Sequence, residues 1–201
     1  DLVRLGILLR SDMTMIMILN FTRFTIVLVL LCQIFISCSP PPKVNFFDPL
    51  SVSENIHVNY DEFEKKALFQ GPPIKPNFED FHLIRAYKFD DESFPTLYQI
   101  YVRTKYSAAD WRFYNSAYDS NGNNLDMMMI NRDVDVGSGA LNNFKEEFVL
   151  NVSQEYLENY DDTHRNLMIK YSCQDPMRDK IIRIPGGYIK AILNITNFVE
   201  K

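Results

Sequence analysis

From Phe81 to Val136 the chain alternates runs of aromatic and β-branched residues with short clusters of Asp, Ser, Pro and Asn, a rhythm that suits antiparallel sheet. Phe81 to Phe89, Leu97 to Tyr106 and Trp111 to Tyr118 read as strands. The cluster Asp119-Ser120-Asn121-Gly122-Asn123-Asn124 contains Asn-Gly, a pair that tolerates positive φ, so Trp111–Tyr118 and Leu125–Val136 are expected to form a hairpin. Further strands are expected over Glu147–Val152, Leu167–Cys173 and Lys180–Pro185. Ser153 is placed to cap a helical turn running to Tyr160, and Gly186–Val199 suits a terminal helix. Ile56–Ile74 is open between a capped helix and a turn followed by a strand, ended in either case by Gly71-Pro72-Pro73. Without the strand–helix–strand rhythm of a parallel sheet, the expected fold is mainly β, an antiparallel β-sandwich with one or two short helices over residues 56–201.

The first 37 residues have a different character. Phe24–Ser37 is an apolar run preceded by Arg23 and interrupted by Thr25 and Gln33. A bilayer-spanning helix needs roughly 20 apolar residues and a secretory core about 7 to 15, so its length points to a signal peptide over 1–37. Phe35-Ile36-Ser37-Cys38 resembles a lipobox, although phenylalanine stands where leucine is commonest. The resemblance implies lipidation of Cys38, cleavage before it, and a lipid bilayer as partner through the acyl chains. Each buried methylene contributes about 0.8 kcal/mol to such an anchor. An uncleaved anchor, or cleavage elsewhere, would export the domain as well. Ser39, where aspartate would retain a lipoprotein in the inner membrane, leans toward the outer membrane of the cell envelope. Residues 1–12 read as sequence upstream of a start at Met13, Met15 or Met17, and 38–55 as a lipidated terminus and Pro-rich tether, with Pro40-Pro41-Pro42 extended.

Setting aside residues 1–37 removes three basic residues (Arg4, Arg10, Arg23) and two acidic ones (Asp1, Asp12), leaving 18 against 24 and a net charge of about −6. A chain this acidic lacks the broad basic field that nucleic acid requires, so no nucleic-acid partner is expected. Cys173 is left without a partner for an internal disulfide and is expected to be buried and inert.

Asp110-Trp111-Arg112-Phe113-Tyr114-Asn115-Ser116-Ala117-Tyr118-Asp119, then Asn121-Gly122, Arg132-Asp133-Val134, Ile184-Pro185 and Tyr188-Ile189 resemble a group of uncharacterised proteobacterial lipoproteins over roughly residues 55–193. The resemblance implies an anchor and a β-rich domain, and it brings no activity with it.

Asp119, Asn121, Asn123 and Asp126 supply the oxygen ligands calcium prefers, but Gly122 falls fourth rather than sixth and no bidentate glutamate follows. A calcium-stabilised, adhesin-like module is one alternative; a plain turn explains the same residues. Asp133 and Asp135, sharing one strand face, and His164 in its polar loop suggest a periplasm-facing hydrolase. Against it, acidic residues at strand ends usually face water, and there is no Gly-x-Ser-x-Gly nucleophile elbow. Met127-Met128-Met129 cannot converge on a soft metal, because successive strand side chains point to opposite faces. His57 and His82 read as half-buried sheet residues. No cofactor or metal is called for. The leading expectation is a non-enzymatic envelope module that binds another envelope protein or a polymer. Its candidate contacts are Trp111, Arg112, Tyr114, Arg132, Asp133 and the Gly-rich loop 137–143. Alternation places Trp111 and Phe113 on one face and Arg112 and Tyr114 on the other.

Overall fold

The computed structural model describes residues 43–75, 80–91, 97–136 and 141–198. The chain divides into the units Asp1–Lys43 and Val44–Lys201. The expected signal peptide, the lipidation site Cys38 and the prolines of the tether lie outside the described residues, as do 137–140 of the Gly-rich loop. Among the described residues no helix is long and apolar enough to cross a membrane.

The second unit is mainly β, built from two antiparallel sheets. In chain order it contains α1 (Pro49–Ser53), β1 (His57–Asp61), β2 (Lys66–Gln70), β3 (Phe81–Phe89), β4 (Leu97–Ala108), β5 (Ser116–Asp119), β6 (Asp126–Asp135) and β7 (Asn142–Val152). There follow α2 (Gln154–Glu158), β8 (Asn166–Ser172), β9 (Lys180–Pro185) and α3 (Gly186–Phe198). The first sheet runs β1-β2-β3-β4-β7-β6 and the second β5-β8-β9. This is the expected sandwich, with three α-helices among the described residues where one or two were expected.

The two inner faces and α3 meet in one core. Ile84, Ile100, Phe148 and Leu150 come from the first sheet, Leu167, Ile169, Tyr171 and Ile184 from the second, and Tyr188, Ile189 and Ile192 from α3. β8 shows how the sequence dictates this, since Leu167, Ile169 and Tyr171 point inward while Met168 and Lys170 face out. On β6, Met127 and Met129 pack on the core and Met128 is exposed, the alternation that keeps the three thioethers apart.

The open stretch Ile56–Ile74 resolves as a turn and strand. The Asp61 carboxylate accepts the amides of Phe63 (2.9 Å) and Glu64 (3.0 Å), and Lys65 turns through φ 50°, so the chain reverses and β2 pairs with β1 from Lys66 to Gln70.

The expected Trp111–Tyr118 strand is corrected: only Ser116–Asp119 is strand, and it pairs with β8. Asn121-Gly122 still makes the turn, with Gly122 at φ 83° and the Leu125 amide on the Ala117 carbonyl at 2.9 Å. The turn passes the chain from one sheet to the other instead of closing a two-stranded ladder. The competing partner wins by length, because β7 pairs with β6 from Asp126–Asn151 through to Asp135–Asn143, while β5 offers four residues.

Residues 44–55, expected within the tether, are folded. Val44 and Phe46 pack on the core, the Asp48 carboxylate caps α1 by accepting the Leu50 amide at 3.1 Å, Pro49 opens the helix, and Val52 is fully buried. The Phe47 carbonyl runs so close to Gly187 that a Cβ there would lie 2.2 Å from its oxygen, so only glycine permits this approach.

Candidate functional site

Of the expected site residues, Trp111, Arg112 and Arg132 gather at one end of the sandwich around two residues that were not expected there, Tyr106 on β4 and Glu146 on β7. Glu146 is fully buried. Its carboxylate accepts the Tyr106 hydroxyl at 2.5 Å and Arg132 Nε at 3.1 Å, so the buried charge is neutralised by a guanidinium on the neighbouring strand. Burial, reinforced by Glu146, pushes the Tyr106 hydroxyl well above its ordinary range and keeps it a donor. The Tyr106 oxygen in turn accepts the Arg112 amide at 2.9 Å, and the Arg112 guanidinium lies 4.2 Å over the Tyr106 ring.

The connector from Trp111 to Asn115 bends outward at Phe113, whose φ of 56° puts a bulky residue in the left-handed region. Phe113 is 42% exposed. Its ring stands 6.1 Å from Trp111 and 5.0 Å beneath the Arg132 guanidinium, while Trp111 rests 4.6 Å from Phe144. One guanidinium thus bridges a buried carboxylate and an exposed aromatic ring. Beside it opens a cleft of about 740 Å³, lined among others by Lys105, Tyr106, Asp133, Asp135, Asn143 and Lys145.

Two expected contacts do not belong to this surface. Tyr114 is 1% exposed, a core residue whose hydroxyl accepts from Arg112 at 3.2 Å and donates to the Arg178 carbonyl at 3.0 Å. Asp133 is exposed, but it points to the other face of β6 from Arg132 and pairs with Lys145 at 3.2 Å. The expected alternation along this segment has no sheet face to refer to: Trp111 and Phe113 adjoin and Arg112 reaches Tyr114, but Trp111 and Tyr114 both pack on the same core. Signals for the missed residues were uneven. Glu146 lies between Phe144 and Phe148 at matching parity, which marks it as inward-facing. Nothing in the sequence marks the conformation of Phe113.

The other candidates are dispersed. The Asp119 carboxylate receives the amides of Asn121 (2.8 Å) and Asn123 (2.9 Å), the Asn123 side chain (2.9 Å) and the Tyr156 hydroxyl (3.3 Å), which explains it as the clamp of the turn. These donors hold its pKa below the carboxylate value against the opposing effect of burial, and Asp126 binds Asn151 instead. Among the described residues no three His, Cys, Asp or Glu side chains form a group that could hold a metal. His164 is exposed after α2, its amide on Asp162 at 2.9 Å, while Asp133 and Asp135 sit on β6. The expectation for the histidines is corrected in both cases: His57 is exposed at the start of β1, and His82 is fully buried, its Nε2 3.0 Å from the Arg183 carbonyl. Cys173 is half-buried, its thiol donating to the Asp175 carbonyl at 3.3 Å. No protein-family model, no curated protein and no solved structure matches the chain.

Proposed function

We propose that this is a lipid-anchored module of the bacterial cell envelope, held by acyl chains on Cys38, that binds an envelope protein or polymer through the Trp111–Phe113–Arg132 surface. The observation that carries it is Phe113. Holding a bulky aromatic in the left-handed region costs on the order of 1–3 kcal/mol, and such strain persists where surrounding structure enforces it and clusters at functional positions. Here the strain turns a ring toward solvent between a tryptophan and an arginine, residue types that dominate binding hot spots. The surface is built for contact more than chemistry, because its one buried carboxylate already receives Tyr106 and Arg132.

The test places a photo-crosslinking amino acid at Phe113 of the full chain in envelope-bearing cells, with the same probe at Met177, which is 95% exposed, as control. A discrete adduct from position 113, absent from 177 and lost on Arg132→Ala, is the expected result. Adducts that do not differ between the two positions would overturn the binding surface. Separately, palmitate should label the wild type and not Cys38→Ser; an unlabelled wild type would overturn the anchor.

A further inference from the structure

Among the described residues the two sheets end in four edge strands, β1 and β6 in the first and β5 and β9 in the second. An open edge invites pairing with another chain, and proteins blunt it with short strands, charged side chains, proline or a bulge. Three of these four edges are blunted in that way. β5 has four residues, β6 carries Asp126, Arg132, Asp133 and Asp135 with a register shift between Met129 and Asn131, and β9 carries Lys180, Arg183 and Pro185. β1, His57-Val58-Asn59-Tyr60-Asp61, contains no lysine, arginine or proline and pairs with β2 without a break in register. Its residues 57–60 are all exposed, Val58 by 52% and Tyr60 by 45%.

The side chains of β1 divide between the two faces of the sheet. Val58 and Tyr60 stand opposite Phe69 and Ala67 of β2, on the face that continues into the core, and Tyr60 is fixed there by donating its hydroxyl to Asp90 at 2.6 Å. His57, Asn59 and Asp61 stand opposite Gln70, Leu68 and Lys66 on the other face. An apolar side chain flanks Asn59 on each side, and the two ends of the strand bear a base and an acid, His57 and Asp61. Such a strand is complementary to itself when turned end for end.

We infer that β1 pairs antiparallel with β1 of a second copy, around a two-fold axis that passes through Asn59 perpendicular to the sheet. The pairing sets Val58 opposite the second copy's Tyr60, Asn59 opposite its Asn59 and His57 opposite its Asp61, and symmetry repeats the first and last of these. A two-fold interface must be self-complementary, and this register satisfies that condition at every position of the strand. The row formed by Phe69 and Val58 continues into Tyr60 and Ala67 of the second copy, so the exposed apolar residues of the two chains cover each other across the seam as aromatic and β-branched pairs. On the opposite face Asp61 comes to lie between Lys66 of its own chain and His57 of the second copy. A shift of two residues either way would set Val58 on Val58 or Tyr60 on Tyr60, leave two residues of each strand unpaired and lose the match of base with acid. This inference uses a different surface from Trp111–Phe113–Arg132 and stands independently of it.

The experiment measures association of the full chain in density-matched detergent by sedimentation velocity, for the wild type and Val58→Lys. Beside it, disulfide trapping under mild oxidation compares Asn59→Cys with Met177→Cys, a position 95% exposed and remote in sequence from β1. The wild type should be dimeric at ~100 μM. Val58→Lys introduces the charge that blunts natural edges, twice in a symmetric dimer, and should dissociate at least tenfold more readily, with far-UV circular dichroism checking that it folds. Residues directly opposite in an antiparallel ladder have Cα atoms about 4.5–5.5 Å apart, within the range of about 4.4–6.8 Å that a disulfide spans. Asn59→Cys should therefore link two copies across the axis, while Met177→Cys and the wild type do not. A wild type still monomeric at that concentration, a dimer indifferent to Val58→Lys, or Asn59→Cys chains that link no faster than Met177→Cys chains would each overturn the inference.

Discussion

Phe113 and Glu146 show how single side chains set the character of the sandwich end. At Phe113 the φ of 56° penalises any residue with a Cβ, by about 1–2 kcal/mol, and spares glycine. Phe113→Gly is therefore expected to be more stable than Phe113→Ala by about 1 kcal/mol in urea unfolding, the reverse of the order expected in ordinary strand. Glu146 behaves oppositely. Glu146→Ala would leave the Tyr106 hydroxyl and the Arg132 guanidinium without their buried acceptor. Arg132 is partly exposed and can recover water, so a loss of about 3 kcal/mol is expected, at the lower end for breaking a buried pair. Glu146→Gln, which keeps an acceptor for Tyr106, should lose about 1 kcal/mol by the same unfolding measurement.

At the scale of elements, α1 decides where the domain begins. Val44, Phe46 and Val52 bury apolar surface against the core, and fully burying a side chain of this size is worth about 1.5–3 kcal/mol. Removing residues 44–55 should therefore lower stability by several kcal/mol in thermal or urea unfolding. If the segment were a passive tether, its removal would change nothing. The sequence hid this helix because five residues with a proline at the first position carry no helical period, although Asp48-Pro49 is a legible start signal. β3 and β9 were legible to the residue, because runs of aromatic and β-branched residues and the turn residues that flank them act locally. The partner of β6 was not, since the same Asn-Gly turn serves a hairpin or a sheet-to-sheet crossing. The choice rests with β7, which lies beyond the turn and offers the longer ladder. The candidate site was half legible for the same reason. Its residue types stood out, but Tyr106, Phe144 and Glu146 joined them through strand pairing, and Phe113 through a backbone conformation that side-chain pattern does not encode.

For the whole molecule, His82 ties one sheet to the other through Nε2 and the Arg183 carbonyl on β9. Burial lowers its pKa below the 6.5 of the free side chain, outweighing the raising effects of that hydrogen bond and of Asp80. The unfolded chain therefore takes up the proton first as pH falls. The stability His82 contributes is complete above about pH 6.5 and is lost progressively below it. Unfolding midpoints measured between pH 7.5 and 5 should fall in the wild type, and the decline should flatten in His82→Gln.

The position of α3 has a consequence for the order of events during synthesis. This helix supplies Tyr188, Ile189 and Ile192 to the centre of the core and lies against α1, so segments far apart in the chain meet there. A growing chain that ends before residue 186 lacks the helix that packs against β3 and β9, and that part of the core is completed only when residues 186–198 arrive. Closure of the core therefore waits on that helix, and a nascent chain that stops short of it stays loosely packed.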